Sequence, residues 1–289
     1  LNECFPEGCP FPVLKISQYP LPKELVLKMA VECKRILIAE EGQPFIEDIV
    51  RGVMPGTAEI QGKLTGELPR TGELTPDLMK KALGLPSSDT FEPCADVVSR
   101  PPALCKGCGH RDVYTALNEV LRDYPNARVF GDIGCYTLGF LPPYKAIHSC
   151  VDMGASIGMA KGAADAGHWP SIAIIGDSTF THSGMTGLLD AINEESDITV
   201  IISDNLTTAM TGGQDSSGTN KFEAICRGLG MSDEHLKVVN PIPKNMPEIT
   251  QTIREEIEYH GVSVIIPRRE CMQTLQRHLK QKRAKEANK

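Results

Sequence analysis

Aromatic residues are scarce in this chain, at 5% with a single tryptophan. No apolar stretch approaches the ~20 residues that a helical membrane span needs, which argues against a membrane protein of that kind. A basic balance is also lacking. Thirty Lys and Arg face 37 Asp and Glu, a formal net charge of −7, so nucleic acid is not expected as the main partner. The one basic stretch is the end, where Arg277–Lys289 carries six Lys and Arg against one Glu. There is no signal peptide, and the first residues, Leu1-Asn2-Glu3, lack a Met. The chain is therefore expected to be a piece or a processed form of something longer, and cytoplasmic. Internal repeats are absent. The Cys-x-x-Cys-His pattern of haem attachment is missing too, because Gly109 stands between Cys108 and His110.

What the chain does contain is ten cysteines, many for 289 residues. The length suggests about two domains, and a hydrophobic share of 41% suffices for real cores. Disulfides are the weaker reading, because this is not a small secreted framework. Reduced thiols, metal ligation or iron–sulfur ligation in a cytoplasm fit better. Cys33 and Cys226 fall on helix faces expected to be buried and are read as core residues. Cys4 and Cys9 lie in an irregular lead-in, residues 1–12, that holds three prolines.

Residues 13–83 read as three strand–helix pairs, with strands at 13–16, 35–39 and 59–62 and helices at 23–33, 44–53 and 76–83. Thr75-Pro76-Asp77 is a helix start, since proline suits the first helical position. Glu40-Glu41, just after a strand, is read as solvated. The result is a small α/β domain, 13–86, without a catalytic constellation. A linker rich in Pro and Ser, 87–103, follows. Residues 104–270 then alternate throughout. Helices are expected at 112–122, 154–166, 182–193, 221–229 and 247–260, and strands at 128–130, 147–149, 172–175, 199–202, 237–239 and 262–266. That alternation predicts an α/β fold with a mostly parallel, doubly wound sheet. Residues 271–289 are read as a basic, fraying helix, solvated or docked on another subunit.

The densest functional signal is Ser171–Asn205. Two β-branched runs flank an amphipathic segment with Met185, Leu188, Leu189 and Ile192 at helical spacing, which makes a βαβ unit. Its parallel strands end on one edge, placing Asp177 beside Asn205, where open α/β sheets bind ligands. A carboxylate and an amide oxygen are hard donors that suit Mg²⁺ holding a diphosphate. The plainer alternative is an ordinary nucleotide-type unit with an Asp in its turn.

A second constellation is Cys105-Lys106-Gly107-Cys108-Gly109-His110. Alone it is half a zinc site, a redox dithiol or half a cluster site. Cys135 and Cys271 each follow an expected strand, so all four thiolates are placed to converge on the edge that carries Asp177 and Asn205. Spacing does not choose between Zn²⁺ and a 4Fe–4S cluster.

The run Pro102–Arg111, with Gly131–Cys135, Asp152–Ala155, Gly176–Phe180, Asp204-Asn205 and Thr211–Gln214, resembles the thiamine-diphosphate-binding part of the 2-oxoacid:ferredoxin oxidoreductases, and most of all the indolepyruvate type. The likeness extends back through Gly62–Pro69 and covers nearly all of residues 13–271. It implies a thiamine-diphosphate/Mg-binding domain at 104–270, preceded by a transketolase C-terminal-like domain. It also implies oxidative decarboxylation of a 2-oxoacid to an acyl group on coenzyme A, with electrons passed through iron–sulfur clusters to ferredoxin. By the same resemblance Cys105, Cys108, Cys135 and Cys271 match the ligands of a 4Fe–4S cluster, with Cys150 as the substitute. Asp177, Asn205 and the carbonyl of Thr207 would bind Mg²⁺. Gly176, Ser178 and Thr179, with Gly154, Ala155 and Ser156, would approach the diphosphate. Thr208, Ala209 and Met210 would lie beneath the thiazolium, and Thr211–Gln214 would close over substrate. His110 is the candidate for proton transfer, given the ordinary histidine pKa near neutrality; His148 and His182 have weaker claims.

Two parts of that family are not found in this chain. One is the pyrimidine-binding domain with its activating Glu, and the other is the ferredoxin-like domain with its cysteine runs. Other subunits, or a region outside these residues, are expected to supply them. Two further readings stay open here. One is a non-redox thiamine-diphosphate-dependent decarboxylase, and the other is a non-catalytic subunit binding zinc or a cluster.

Overall fold

A computed structural model describes residues 1–53, 58–86, 94–98 and 100–287. The expected linker lies partly outside them, at 87–93 and 99. The chain divides into two units, Leu1–Val98 and Ser99–Lys289.

The first unit runs α1 (Lys23–Glu32), β1 (Arg35–Leu37), α2 (Phe45–Val53), β2 (Glu59–Gln61) and α3 (Pro76–Ala82). Its strands pair in parallel. Thr75 caps α3, its hydroxyl accepting the Leu78 N–H at 3.4 Å, as its place before a proline predicts. The strand expected at 13–16 does not form. Pro10, Pro12 and Pro20 bracket it and have no N–H to give to a ladder, and Val13 stays 55% exposed. Glu40 and Glu41 are not merely solvated. Glu40 accepts from the N–H groups of Ile46 (2.7 Å) and Glu47 (2.9 Å), covering open donors at the start of α2. Glu41 accepts from Leu74 N–H at 3.0 Å. Cys33 ends α1 half-buried rather than in the core.

The second unit runs α4 (Gly109–Leu121), β3 (Arg128–Gly131), β4 (Ser149–Cys150), α5 (Ala155–Asp165), β5 (Ser171–Gly176), α6 (Asp177–Thr179), α7 (Met185–Asn193), β6 (Ile198–Ser203), α8 (Phe222–Gly228), β7 (Leu236–Val239), α9 (Met246–Glu258), β8 (Val262–Pro267) and α10 (Met272–Ala287). The six strands form one all-parallel sheet in the order β4-β3-β5-β6-β8-β7. Every residue of β5, β6 and β8 is buried, the mark of strands covered on both faces. Alternate side chains serve different faces. Ile172, Ile174, Ile201 and Ile265 pack with Val113, Leu117 and Val120 of α4 and Ile249, Ile253 and Ile257 of α9. Ala173, Ile175, Val200, Ile202 and Val264 pack with Ile157 of α5, Leu188 of α7 and Phe222 and Cys226 of α8. The sheet is thus doubly wound, as the sequence predicts. Among the described residues no helix is long and apolar enough to cross a membrane.

Candidate functional site

β5 and β6 end together, with Gly176 opposite Ser203. Asp177 then starts α6, which runs through a π-type turn (Phe180–Gly184) into α7. Asn205 follows β6 by two residues. The Thr207 N–H donates to both, at 3.1 Å to Asp177 Oδ2 and 3.1 Å to Asn205 Oδ1. Two oxygens 28 positions apart in the chain therefore face one donor. Leu206 makes this possible by adopting φ +62°, which folds Thr207 back over the strand tips. Asp177 Oδ1 also accepts Ser178 N–H at 2.6 Å. Burial, and then the charge of Asp204, push the Asp177 carboxyl up to about 6. A buried carboxylate held by backbone N–H groups, beside an amide oxygen, is the hard-donor set that suits Mg²⁺.

The neighbouring turns are held from inside. Asp132, fully buried, accepts from Gly154 N–H (3.0 Å), Ser156 N–H (2.9 Å) and the Ser156 hydroxyl (2.5 Å). It therefore caps α5, and two of the N–H groups expected to face an anion there are already engaged. Gly154 has φ +99°, and a Cβ on it would meet Ser183 Oγ at 2.2 Å; only glycine fits. Gly176 likewise clears the ring of Tyr136, which a Cβ would approach to 2.5 Å. The Thr179 hydroxyl is committed to the Ile133 carbonyl at 3.2 Å.

Next to this half-site lies a cavity of about 230 Å³ whose walls include Cys105, Cys108, Cys135, Cys271, His110 and Asn205. Cys105 and Cys108 precede α4, Cys135 follows β3, and Cys271 follows β8. All four cysteines named from the sequence thus meet at one cavity. Burial, then the neighbouring Cys271, Cys108 and Cys105 sulfurs, push the Cys135 thiol up to about 11. Burial raises Cys108 as well. Among the described residues no three His, Cys, Asp or Glu side chains stand in position to grip one metal ion. The four cysteines line a space. Cys150 is exposed at the end of β4, its thiol donating to the Asp132 carbonyl at 3.5 Å.

His110 joins the two halves. It sits in the first turn of α4, is 5% exposed, and its Nε2 faces Asn205 Nδ2 at 3.5 Å. Burial pushes its pKa down to about 4. It is therefore neutral near pH 7, not poised there as an ordinary histidine would be, and with Nε2 as acceptor it orients the Asn205 amide. His148 lies away from the site, preceding β4, and accepts Val129 N–H at 3.0 Å. His182 is exposed and pairs with the Ser183 hydroxyl at 2.9 Å.

Beyond Thr207 the chain doubles back, with Thr208 and Gln214 forming an antiparallel bridge. Ala209 and Met210 reach the cysteine cavity, and Met210 is 67% exposed. The Thr211–Gln214 loop is braced internally by Thr211 Oγ1 donating to Gln214 Oε1 at 2.7 Å. α10 holds it from outside, where Arg277 Nη1 donates to the Gly212 carbonyl at 2.9 Å. The first turns of α10 are thus part of the site's frame, not a solvated end.

The sequence reading passed over Asp132, Tyr136 and the ion pairs of Arg268 and Arg269. The last had a signal: two arginines at the tip of a largely apolar strand need buried partners.

Residues 132–267 match the family described as thiamine pyrophosphate enzyme, C-terminal TPP binding domain. Over about nine tenths of its length the chain resembles indolepyruvate oxidoreductase subunit IorA. It is 36% identical to that of Archaeoglobus fulgidus over 284 residues, covering 90% of this chain and 45% of the relative. It is also 36% identical to that of Methanothermobacter thermautotrophicus over 289 residues, covering 92% and 46%. The chain thus spans somewhat under half the length of the curated relatives it matches. Among solved structures, 2-oxoglutarate:ferredoxin oxidoreductase from Magnetococcus marinus aligns with a TM-score of 0.49 and 15% identity, over 60% of this chain and 66% of that one.

Proposed function

We propose that this chain is the thiamine-diphosphate- and Mg²⁺-binding part of a 2-oxoacid:ferredoxin oxidoreductase acting on indolepyruvate or another aryl pyruvate. The observation that carries this is the junction at one sheet edge. The Asp177–Asn205 oxygens and a four-cysteine cavity stand on either side of His110. A non-redox decarboxylase would leave that cavity without a task. Four sulfurs around a space favour a cluster, whose cysteines bind different irons, over zinc, which draws its ligands to about 2.3 Å from one centre.

The residues would act as follows. Asp177 and Asn205, with the Thr207 carbonyl, hold Mg²⁺ and through it the diphosphate. Gly176 and Ser178 leave room and N–H groups beside it, and Thr179 anchors their turn. Asp132 fixes the Gly154–Ser156 turn at the same edge. Thr208–Met210 form the floor between diphosphate and cysteines. His110 orients Asn205 and, as a neutral imidazole, is able to accept a proton during turnover. When bound, thiamine diphosphate supplies the electron sink for decarboxylation, and a 4Fe–4S cluster on Cys105, Cys108, Cys135 and Cys271 supplies one-electron transfer. The net reaction joins the acyl group to coenzyme A, releases carbon dioxide and gives two electrons to ferredoxin. The activating Glu and the ferredoxin-like domain are assigned to other subunits or to a region outside these residues.

The test is cofactor content. Denatured protein should release thiamine diphosphate in a thiochrome assay, and Asp177→Ala should lose its Mg²⁺-dependent binding. Affinity unchanged in that variant would remove the metal role.

A further inference from the structure

The segment Arg268–Cys271 leaves the tip of β8 between the two halves of the site, and its two arginines point to opposite halves. Arg268 is fixed through its backbone, its N–H donating to the Val239 carbonyl at 2.8 Å. Its guanidinium grips Glu223 of α8 with two parallel bonds, 2.9 and 2.7 Å, and reaches Asp204 Oδ2 through Nε at 2.6 Å. Asp204 is 1% exposed, and its other oxygen accepts the Leu206 N–H at 3.2 Å. This chain of contacts ends on the left-handed turn that carries Asn205 and Thr207.

Arg269 faces the other way. Its Nη1 donates to Asp112 Oδ2 and to the Pro241 carbonyl, both at 2.9 Å. Its stem lies against Gly109, where a Cβ would come within 3.3 Å of it. Gly109 and Asp112 belong to the first turn of α4, directly behind Cys108 and His110. Two residues further on, the Cys271 N–H donates to the Asn205 carbonyl at 3.0 Å. The backbone of one cysteine is thereby tied to that of a metal-binding residue.

We infer that Arg268 and Arg269 are positioning residues that set the two half-sites against each other. Arg268 holds the Asn205–Thr207 turn in its metal-binding form. Arg269 holds the turn that carries Cys105, Cys108 and His110. Removing either cation strands a buried or half-buried carboxylate in the turn it serves, so the damage is local to one half. The inference rests on the proposed reading of the site, one half for Mg²⁺ and diphosphate and the other for the cluster.

The test uses the full chain with the subunits that co-purify with it, prepared without oxygen. Arg268→Met, Arg269→Met and the two Arg→Lys variants are compared for thiamine diphosphate affinity with Mg²⁺, iron per chain and the electron paramagnetic resonance spectrum of the reduced protein. Arg268→Met should weaken thiamine diphosphate about 10–100-fold, the usual cost of losing a residue behind a metal ligand, with iron and spectrum unchanged. Arg269→Met should do the reverse, losing iron or altering the spectrum while thiamine diphosphate affinity holds. Lysine should restore Arg269 in large part, since one nitrogen, Nη1, donates both its bonds. It should not restore Arg268, which spans two carboxylates. Should a methionine variant fail to fold, the lysine pair still tests the inference, because Arg268→Lys should weaken thiamine diphosphate with iron unchanged while Arg269→Lys keeps both. Parallel loss of both properties in each methionine variant or in Arg268→Lys, or no change in either property there, overturns the inference while the wild type still binds both groups. A wild type that binds neither overturns the reading of the site and the inference together.

Discussion

Burial holds the Asp177 carboxyl at about 6, above its ordinary 3.8, so between those values the folded chain keeps a proton that the unfolded chain has released. Its contribution to stability is therefore lost as pH rises through that window, and at pH 7 the cation-free fold carries a buried carboxylate at a cost on the order of 1–3 kcal/mol. We expect Asp177→Asn to raise the cation-free melting temperature at pH 7 and to abolish the further rise on adding Mg²⁺. A thermal melt with and without Mg²⁺ checks both. Glu223 runs the other way. Its bonds to Arg268 hold it at about 2, so its stabilisation is present above its ordinary value and is lost as pH falls toward 2. His110, pushed down to about 4, binds a proton in the unfolded chain first, and its contribution is lost as pH falls from the ordinary 6.5 through 4. Its ring resonances should show no titration between pH 8 and 6; a midpoint near 6.5 would mean that the imidazole is not buried against Asn205.

The site's precision comes from β5 and β6, whose register puts Gly176 opposite Ser203 and so brings Asp177 to Asn205. Ile174 is fully buried on the α4–α9 face. Ile174→Ala should cost about 2–5 kcal/mol in denaturant unfolding. Gly154→Ala should destabilise as well, because a φ of +99° and the Ser183 hydroxyl both oppose a side chain. These strands and helices were legible because apolar periodicity is a local signal, and the four cysteines were legible because two strand ends and one helix start fix where they must lie. Three features were not. The 13–16 segment looks β-branched, but its strand needs a partner that flanking prolines deny. Asp132 caps a helix 22 to 24 residues away, a pairing with no trace in spacing. The neutrality of His110 follows from burial under Tyr136 and α4, which a lone histidine in a Cys-x-x-Cys-x-His run does not announce.

At the scale of the whole molecule, the chain spans less than half of the curated relatives it matches; in the proposed catalyst it supplies the diphosphate grip and the first electron acceptor. Cofactor binding and electron transfer then separate experimentally: Asp177→Ala should lose thiamine diphosphate yet keep its iron, while Cys135→Ser should lose or alter the cluster yet keep thiamine diphosphate. That both halves serve one redox reaction is the core of the proposed function. It is tested most directly by mixing the anaerobically purified assembly with an aryl pyruvate and coenzyme A, without ferredoxin, and following the iron–sulfur absorption and paramagnetic signal. The bound cluster should become reduced only when 2-oxoacid is present, and not at all in Asp177→Ala; decarboxylation that proceeds while the cluster stays oxidised would contradict the shared redox role.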